Sequence, residues 1–477
     1  MTSITTGRIR GLDENGIGVF KGIPYARPPF GELRLAAPAP AEPWDGVRDT
    51  VAFGPPPPQP AMMPGMPAWS PESGLDCLTV NVWTPDPGGS GLPVMVWIYG
   101  GAYWLGSADR PEYDGTRLAA EGVVVVTFNH RIGFEGYAHV DGAPANRALL
   151  DQVAALRWVR DNIAAFGGDP GNVTVFGESA GAGAVGCLLA MPSAAGLFRR
   201  AIAQSFPGMF YSPAYAARVT RALLRNAGAG SPYDVAPEAA IAAAGKLAYE
   251  EMQGDHGRWG PIAFTPMPFA PVVDGEVLPD TPWNALADGA GSDVELIAGY
   301  TRDEYRTFMV MNRAGKIDLA TALKTLGPPD ADVVYRTAHP GLSEEDLYAE
   351  LMSDWMFRMP SALLADAHTG PTYAYELAWA PDPLLRACHG LDVPLTFGTV
   401  DGQLGGLLMN GSPHAEDVSR QFRTAWTRFA ATGDPGWPAY DPVAATTHVF
   451  DVEPRDVPDP EGASRALWSV PGFPAIS

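Results

Sequence analysis

Apolar residues in this chain come in short continuous runs, separated by longer segments in which they recur every three or four positions. Val94-Met95-Val96-Trp97-Ile98-Tyr99 and Val123-Val124-Val125-Val126-Thr127-Phe128 are runs of the first kind. Short runs so rich in β-branched residues predict strands covered on both faces, as in a parallel sheet. Leu78-Thr79-Val80-Asn81-Val82-Trp83 alternates instead and stops at Thr84-Pro85, which predicts an antiparallel strand. From Leu149 onward the apolar positions Leu150, Val153, Leu156, Val159, Ile163 and Phe166 keep helical spacing until Gly167-Gly168 ends the helix. Val173 to Phe176 is the next strand, and small residues from Ala180 onward start the next helix. Strands alternating with helices predict parallel pairing through right-handed crossovers.

The remaining pattern extends this scheme. The N-terminal residues up to Ala26 alternate as a strand and hairpin. Pro55 to Pro71 has four consecutive prolines and reads as an extended loop, whose Met62, Met63, Met66 and Trp69 would either cover an apolar cleft or simply pack the loop on the surface. Ser212 to Glu251 is Ala-rich and helical, with loops through Pro271; Val294 to Ala298 and Tyr373 to Leu377 read as the closing strands. The expectation is an α/β fold in which residues 1–477 make one domain. A large, mostly parallel central sheet is wrapped by helices, and a helical insertion over roughly residues 206–290 forms a cap.

Composition narrows the function. With 477 residues and 46% hydrophobic content the chain can bury a large core. A net charge of −22 repels phosphate backbones and anionic lipid, so neither nucleic acid nor a membrane is an expected partner. No run approaches the ~18 apolar residues of a membrane span, and no apolar stretch of a secretory signal precedes the first strand, so the expected location is cytoplasmic. Cys77, Cys187 and Cys388 form no C-x-x-C pair, which argues against a disulfide framework and against structural zinc.

The chemistry begins at Gly177-Glu178-Ser179-Ala180-Gly181, a G-x-S-x-G sequence between a strand and a helix. A turn of this kind lifts a serine hydroxyl clear of the backbone at the carboxyl edge of a sheet. The hydroxyl needs a base, and the base needs an acid to fix its tautomer; in this arrangement the chain order is serine, acid, histidine. Downstream lie His256, His339, His368, His389, His414 and His448. His389 stands in the loop Ala387-Cys388-His389-Gly390 after a strand, where a flanking glycine leaves room for an imidazole. For the acid, Asp303 and Glu304 both follow the strand ending at Ala298, and position does not choose between them. Backbone amides must also meet the charge that builds on a substrate carbonyl. Ala180 supplies one, and Tyr99-Gly100-Gly101-Ala102 is the source of others.

Taken together, these residues resemble the type-B carboxylesterases, the α/β-hydrolase family of the cholinesterases and bacterial para-nitrobenzyl esterases. The landmarks run in family order: Phe20-Lys21-Gly22-Ile23-Pro24-Tyr25-Ala26, Asp76-Cys77-Leu78, Asn81-Val82-Trp83, Trp97 to Ala102, Asn129-His130-Arg131-Ile132-Gly133, Leu150-Asp151-Gln152, Phe166 to Pro170, Gly177 to Gly181, Asp303-Glu304, Cys388-His389-Gly390 and Thr432 to Pro435. The resemblance implies a serine carboxylesterase working through an acyl-enzyme on Ser179. His389 is then the base, Glu304 rather than Asp303 the acid, and Gly101, Ala102 and Ala180 the oxyanion donors. It also implies supporting places for Glu178 and Ser205, a small-molecule ester as substrate, and no metal or organic cofactor. A monomer is compatible with all of this. The same groups would serve an amide, carbamate or thioester, and some relatives of this fold are catalytically silent binding modules; the filled serine and histidine positions argue against the latter.

Several positions depart from the family pattern. Leu75 stands where an acidic partner for Arg34 is usual, so Arg34 must find another partner or face water. Phe206 and Tyr305 replace small residues and would either narrow an acyl pocket or repack the core. Cys77 has no cysteine before it with which to form the bridge of secreted relatives.

Overall fold

The computed structural model describes residues 1–61, 69–265, 267–311, 317–468 and 473–477. Within these, eleven strands make one sheet: β1 (Leu12–Glu14), β2 (Ile17–Pro24), β3 (Thr79–Thr84), β4 (Leu92–Ile98), β5 (Val124–Phe128), β6 (Gly168–Glu178), β7 (Arg200–Gln204), β8 (Glu295–Thr301), β9 (Thr372–Leu377), β10 (Thr446–Phe450) and β11 (Arg455–Pro458). Their spatial order is β11-β10-β9-β8-β7-β6-β4-β5-β3-β2-β1. The strands from β10 to β5 are parallel neighbours, and the outer pairs are antiparallel. This is the α/β-hydrolase fold.

Strand periodicity explains the layers. Successive side chains point to opposite faces, so Val94, Val96 and Ile98 enter one core while Met95, Trp97 and Tyr99 enter the other. The first core is closed by α1 (Arg147–Asn162) and α2 (Ala180–Ala190), among other elements. The second is closed by the helices Asp392–Phe397 and Ala415–Thr432, whose Phe397, Phe422, Trp426 and Phe429 are fully buried. Gly167 adopts φ 86°, a left-handed stop where the predicted helix ends.

The N-terminal alternation forms two antiparallel pairs, Thr2–Ile4 with Gly7–Arg10 and β1 with β2. Helices Pro213–Ala227 and Pro237–Lys246 occupy the Ala-rich segment. Two expectations need correction. The sheet does not close at Tyr373–Leu377, because β10 and β11 follow; Thr446 to Phe450 is short and flanked by Asp and Pro, which hid it. The stretch before Pro271 is not all loop either, since His256–Trp259 and Gly260–Phe264 are short helical turns. In the Pro-rich loop, Gln59 exchanges two hydrogen bonds with Gly106, each 2.8 Å; Met62, Met63 and Met66 lie outside the described residues.

Two motifs that looked merely characteristic meet as a buried ion pair. Arg131 donates to both carboxylate oxygens of Asp151, at 2.7 and 2.8 Å, and also to the Ala36 carbonyl. Arg34 finds its partner in Glu135, 2.6 Å away, so the missing acid at Leu75 is replaced from another part of the chain.

Candidate active site

The carboxyl ends of adjacent parallel strands bring distant residues to one edge. Ser179 follows β6, Gly100 and Gly101 follow β4 on one side, Ser205 follows β7 on the other, and Glu304 follows β8. His389 comes from the loop beyond β9.

Ser179 has φ 58° and ψ −123°, a conformation costing a non-glycine residue about 1–3 kcal/mol. The surrounding chain leaves it no alternative. Its N–H donates to the Gln204 carbonyl at 2.9 Å, and its own carbonyl accepts from Gly183. The flanking glycines are sterically required: a Cβ on Gly181 would stand 2.0 Å from the Ile98 oxygen, and one on Gly177 would stand 2.7 Å from the same atom.

Of the two candidate acids, Glu304 meets the imidazole. His389 Nδ1 donates to Glu304 Oε2 at 2.5 Å. Glu304 is fully buried, and its Oε1 accepts from Ser205 Oγ at 2.6 Å and from the Thr301 amide at 2.9 Å. Asp303 turns away to Arg386, 3.5 Å distant. Ser205, the supporting residue named from the sequence, therefore touches the carboxylate directly.

The other imidazole nitrogen faces Glu178. His389 Nε2 lies 3.1 Å from Glu178 Oε1, and among the described residues no hydrogen bond joins it to Ser179 Oγ. Burial alone would disfavour the imidazolium, but the Glu178 and Glu304 carboxylates outweigh it and raise the His389 pKa. Burial raises that of Glu178 in turn. The imidazole thus sits between two acids, one residue away from the serine.

The turn after β4 holds an unusual backbone conformation. Gly101, Ala102 and Tyr103 all have positive φ, at 124°, 54° and 66°. Among the described residues, nothing accepts from the amides of Gly101, Ala102 or Ala180. Three unclaimed N–H groups beside one serine are what an anionic oxygen requires.

Some participants gave no signal in the sequence. Phe357 stacks on the His389 ring at 4.2 Å, with Phe308 at 5.3 Å, and the two rings limit where the imidazole can swing. Thr307 Oγ1 donates to the His389 carbonyl. Asp392, three residues past His389, is buried and accepts from Gln204 and from Tyr375, each at 2.9 Å. Only spacing from His389 could have suggested Asp392; nothing local marks the phenylalanines. Phe206 is fully buried among Phe210 and Trp283, so it repacks the core. Tyr305 packs on Tyr348 and Phe308.

All three cysteines are unpaired and buried. Burial pushes the Cys388 thiol up to about 12, far from the thiolate that alkylation needs. Iodoacetamide at neutral pH should leave the protein's activity within about twofold of the untreated protein; rapid inactivation tracking Cys388 modification would contradict this. Among the described residues no cluster of His, Cys, Asp or Glu could hold a metal ion, and no helix is long and apolar enough to cross a membrane.

Comparison with known proteins fits this geometry. The carboxylesterase family model matches residues 1–329 and 330–456. The para-nitrobenzyl esterase of Bacillus subtilis (strain 168) is 38% identical, with 96% of each chain covered. The phenmedipham hydrolase of Pseudarthrobacter oxydans is 34% identical over 91% of this chain and 92% of its own length. Among solved structures, a PNB esterase superposes with a TM-score of 0.86 at 36% identity, covering 98% of this chain and 99% of that one. A Geobacillus stearothermophilus carboxylesterase gives the same values.

Proposed function

The chain belongs to the carboxylesterase family and is a carboxylic ester hydrolase, and we propose that Ser179, His389 and Glu304 are the residues with which it works. The observation that carries the proposal is the 2.5 Å bond from His389 Nδ1 to Glu304, made beside a serine flanked by three unclaimed amides.

In the proposed cycle His389 turns from Glu178 so that Nε2 accepts the Ser179 proton as Oγ attacks the ester carbonyl. The amides of Gly101, Ala102 and Ala180 hold the resulting oxyanion. The imidazolium then carries its new proton on Nε2, the nitrogen that faces Glu178 in the resting enzyme. Glu304 stabilises the same cation through Nδ1 and keeps the ring in the working tautomer. His389 passes the proton to the leaving alcohol, and water repeats the sequence to free the acid. Small-molecule esters are the substrates, and no step asks for a metal or organic cofactor. The helices from Pro213 to Lys246 belong to the proposed cap, within one domain spanning the chain. Unpaired cysteines suit a cytoplasmic setting.

Para-nitrobenzyl esters, named for the Bacillus relative, are the first substrates to offer. Matched ester and amide substrates test the reaction class: kcat/KM should favour the ester by about 10²-fold or more, since the alkoxide is the better leaving group. Equal turnover of the amide would overturn the ester preference.

The flanking carboxylates also set the pH dependence. Only the neutral imidazole can accept a proton, and the two acids raise its pKa above the usual ~6.5. The kcat/KM profile should therefore climb through an alkaline-shifted limb. In Glu178→Gln one negative charge is gone, the imidazolium loses support, and the limb should move to lower pH by about one unit or more. An unmoved limb would show that Glu178 does not act on His389.

A further inference from the structure

Beside the turn that carries Gly101 and Ala102 lies a small cavity lined in part by Gly100, Leu105 and Ala180, residues in or next to the proposed oxyanion donors. Its polar lining is unusual. Gln152 is fully buried, yet neither its Oε1 nor its Nε2 has a partner among the described residues. His130 Nε2 and the Tyr103 hydroxyl are buried and unpartnered in the same way. All three residues line this one cavity, and the Tyr103 hydroxyl lies against Gly183.

The donor and acceptor roles can be worked out. His130 Nδ1 lies 3.0 Å from the Arg131 carbonyl, so it carries the proton, and Nε2 is left as an acceptor. Burial lowers the His130 pKa, which keeps the ring neutral. Gln152 offers one acceptor and one donor group, and the tyrosine hydroxyl can donate. Water has two hydrogens and two lone pairs, and this set offers a partner in kind for each. The space in which a water centre fits is about 10 Å³, enough for one molecule. A dry cavity would instead leave four buried polar atoms unsatisfied, which native proteins rarely tolerate.

We infer that this cavity is a binding site for an internal water, held by Gln152, His130 and Tyr103, and that this water braces the oxyanion turn. The turn needs such bracing, because Ala102 and Tyr103 are non-glycine residues at positive φ and hold that conformation only if their surroundings over-determine it. Tyr103 belongs both to the strained turn and to the water's shell. The Gln152 amide therefore acts through the water on the amides that meet the oxyanion, which makes Gln152 a positioning residue. The inference rests on the assignment of Gly101 and Ala102 as oxyanion donors.

Two variants separate this role from packing. Gln152→Met keeps the volume and removes the polar atoms, and Tyr103→Phe removes only the hydroxyl. Each should lower kcat for a para-nitrophenyl ester by about tenfold, leave KM within about twofold, and weaken a trifluoromethyl ketone transition-state analogue by the same factor as kcat/KM. Inhibition by the product alcohol should not change. A high-resolution crystal structure of the wild-type enzyme should show the water within hydrogen-bond distance of Gln152 and His130, and its absence in Gln152→Met. A wild-type cavity without water, or variants with kcat and ketone affinity within twofold of wild type, would overturn the inference while wild-type catalysis stands. A wild-type enzyme that neither cleaves the ester nor binds the ketone would instead remove the oxyanion assignment itself.

Discussion

Ser179→Ala is expected to lower kcat for p-nitrophenyl butyrate by about 10⁴-fold or more without unfolding the protein. The loss follows from chemistry: no other group at the site can form the acyl bond, and the amides alone supply only residual catalysis. The intact fold follows from the structure. Among the described residues the Ser179 hydroxyl makes no hydrogen bond, and the anchors of the turn are backbone groups, the N–H to Gln204 and the carbonyl to Gly183. Alanine bears the same positive φ at the same cost, so the melting temperature should stay within about 2 °C. Retention of more than about one per cent of activity would remove Ser179 from the role of nucleophile.

Glu304→Gln is the second large effect, and its direction comes from the hydrogen bonds around the carboxylate. Glu304 Oε1 accepts from the Thr301 amide, a fixed donor, and from Ser205 Oγ. A glutamine must therefore keep its oxygen on that side and turn its NH₂ toward His389 Nδ1. Two donors then face each other unless the imidazole shifts its proton to Nε2, the nitrogen that has to accept from serine. The variant should lose about 10³–10⁴-fold in kcat, with KM changed by less than about threefold. Ser205→Ala removes only one of the two bonds to Oε1 and should cost about tenfold or less. Equal losses for the two variants would mean that the site responds to general loosening rather than to the tautomer.

The strand–turn–helix around Ser179, the parallel strands near it and the glycine turn were legible in the sequence because each is local. Two glycines around a serine, a β-branched run before it and small residues after it leave few conformations open. The choice between Asp303 and Glu304 was not legible from position, since neighbouring residues on one loop differ only in the direction their side chains take. The structure separates them through what each touches: Arg386 for one, His389 for the other. The pairing of His389 Nε2 with Glu178, and the stacking of Phe357 on the ring, depend on segments that meet only in three dimensions. No periodicity marks such contacts. Arg34 makes the same point, because its partner Glu135 lies about a hundred positions away. The strands Thr446–Phe450 and Arg455–Pro458 escaped for a different reason: runs of five and four residues carry too few alternating positions to stand out.

The buried charges around His389 give the resting site a definite state. The imidazole is held by Glu304 on one side and faces Glu178 on the other, with aromatic rings limiting its swing. The proposed cycle asks the ring to leave Glu178 for Ser179, and lengthened catalytic hydrogen bonds are common before substrate arrives.

Covalent labelling tests the central claim most directly. After a fluorophosphonate has inactivated the enzyme, peptide mass mapping should find one adduct per chain, on Ser179, with activity lost in proportion to labelling. An enzyme that is inactivated with the adduct on another residue, or that stays active with Ser179 fully modified, would contradict the account.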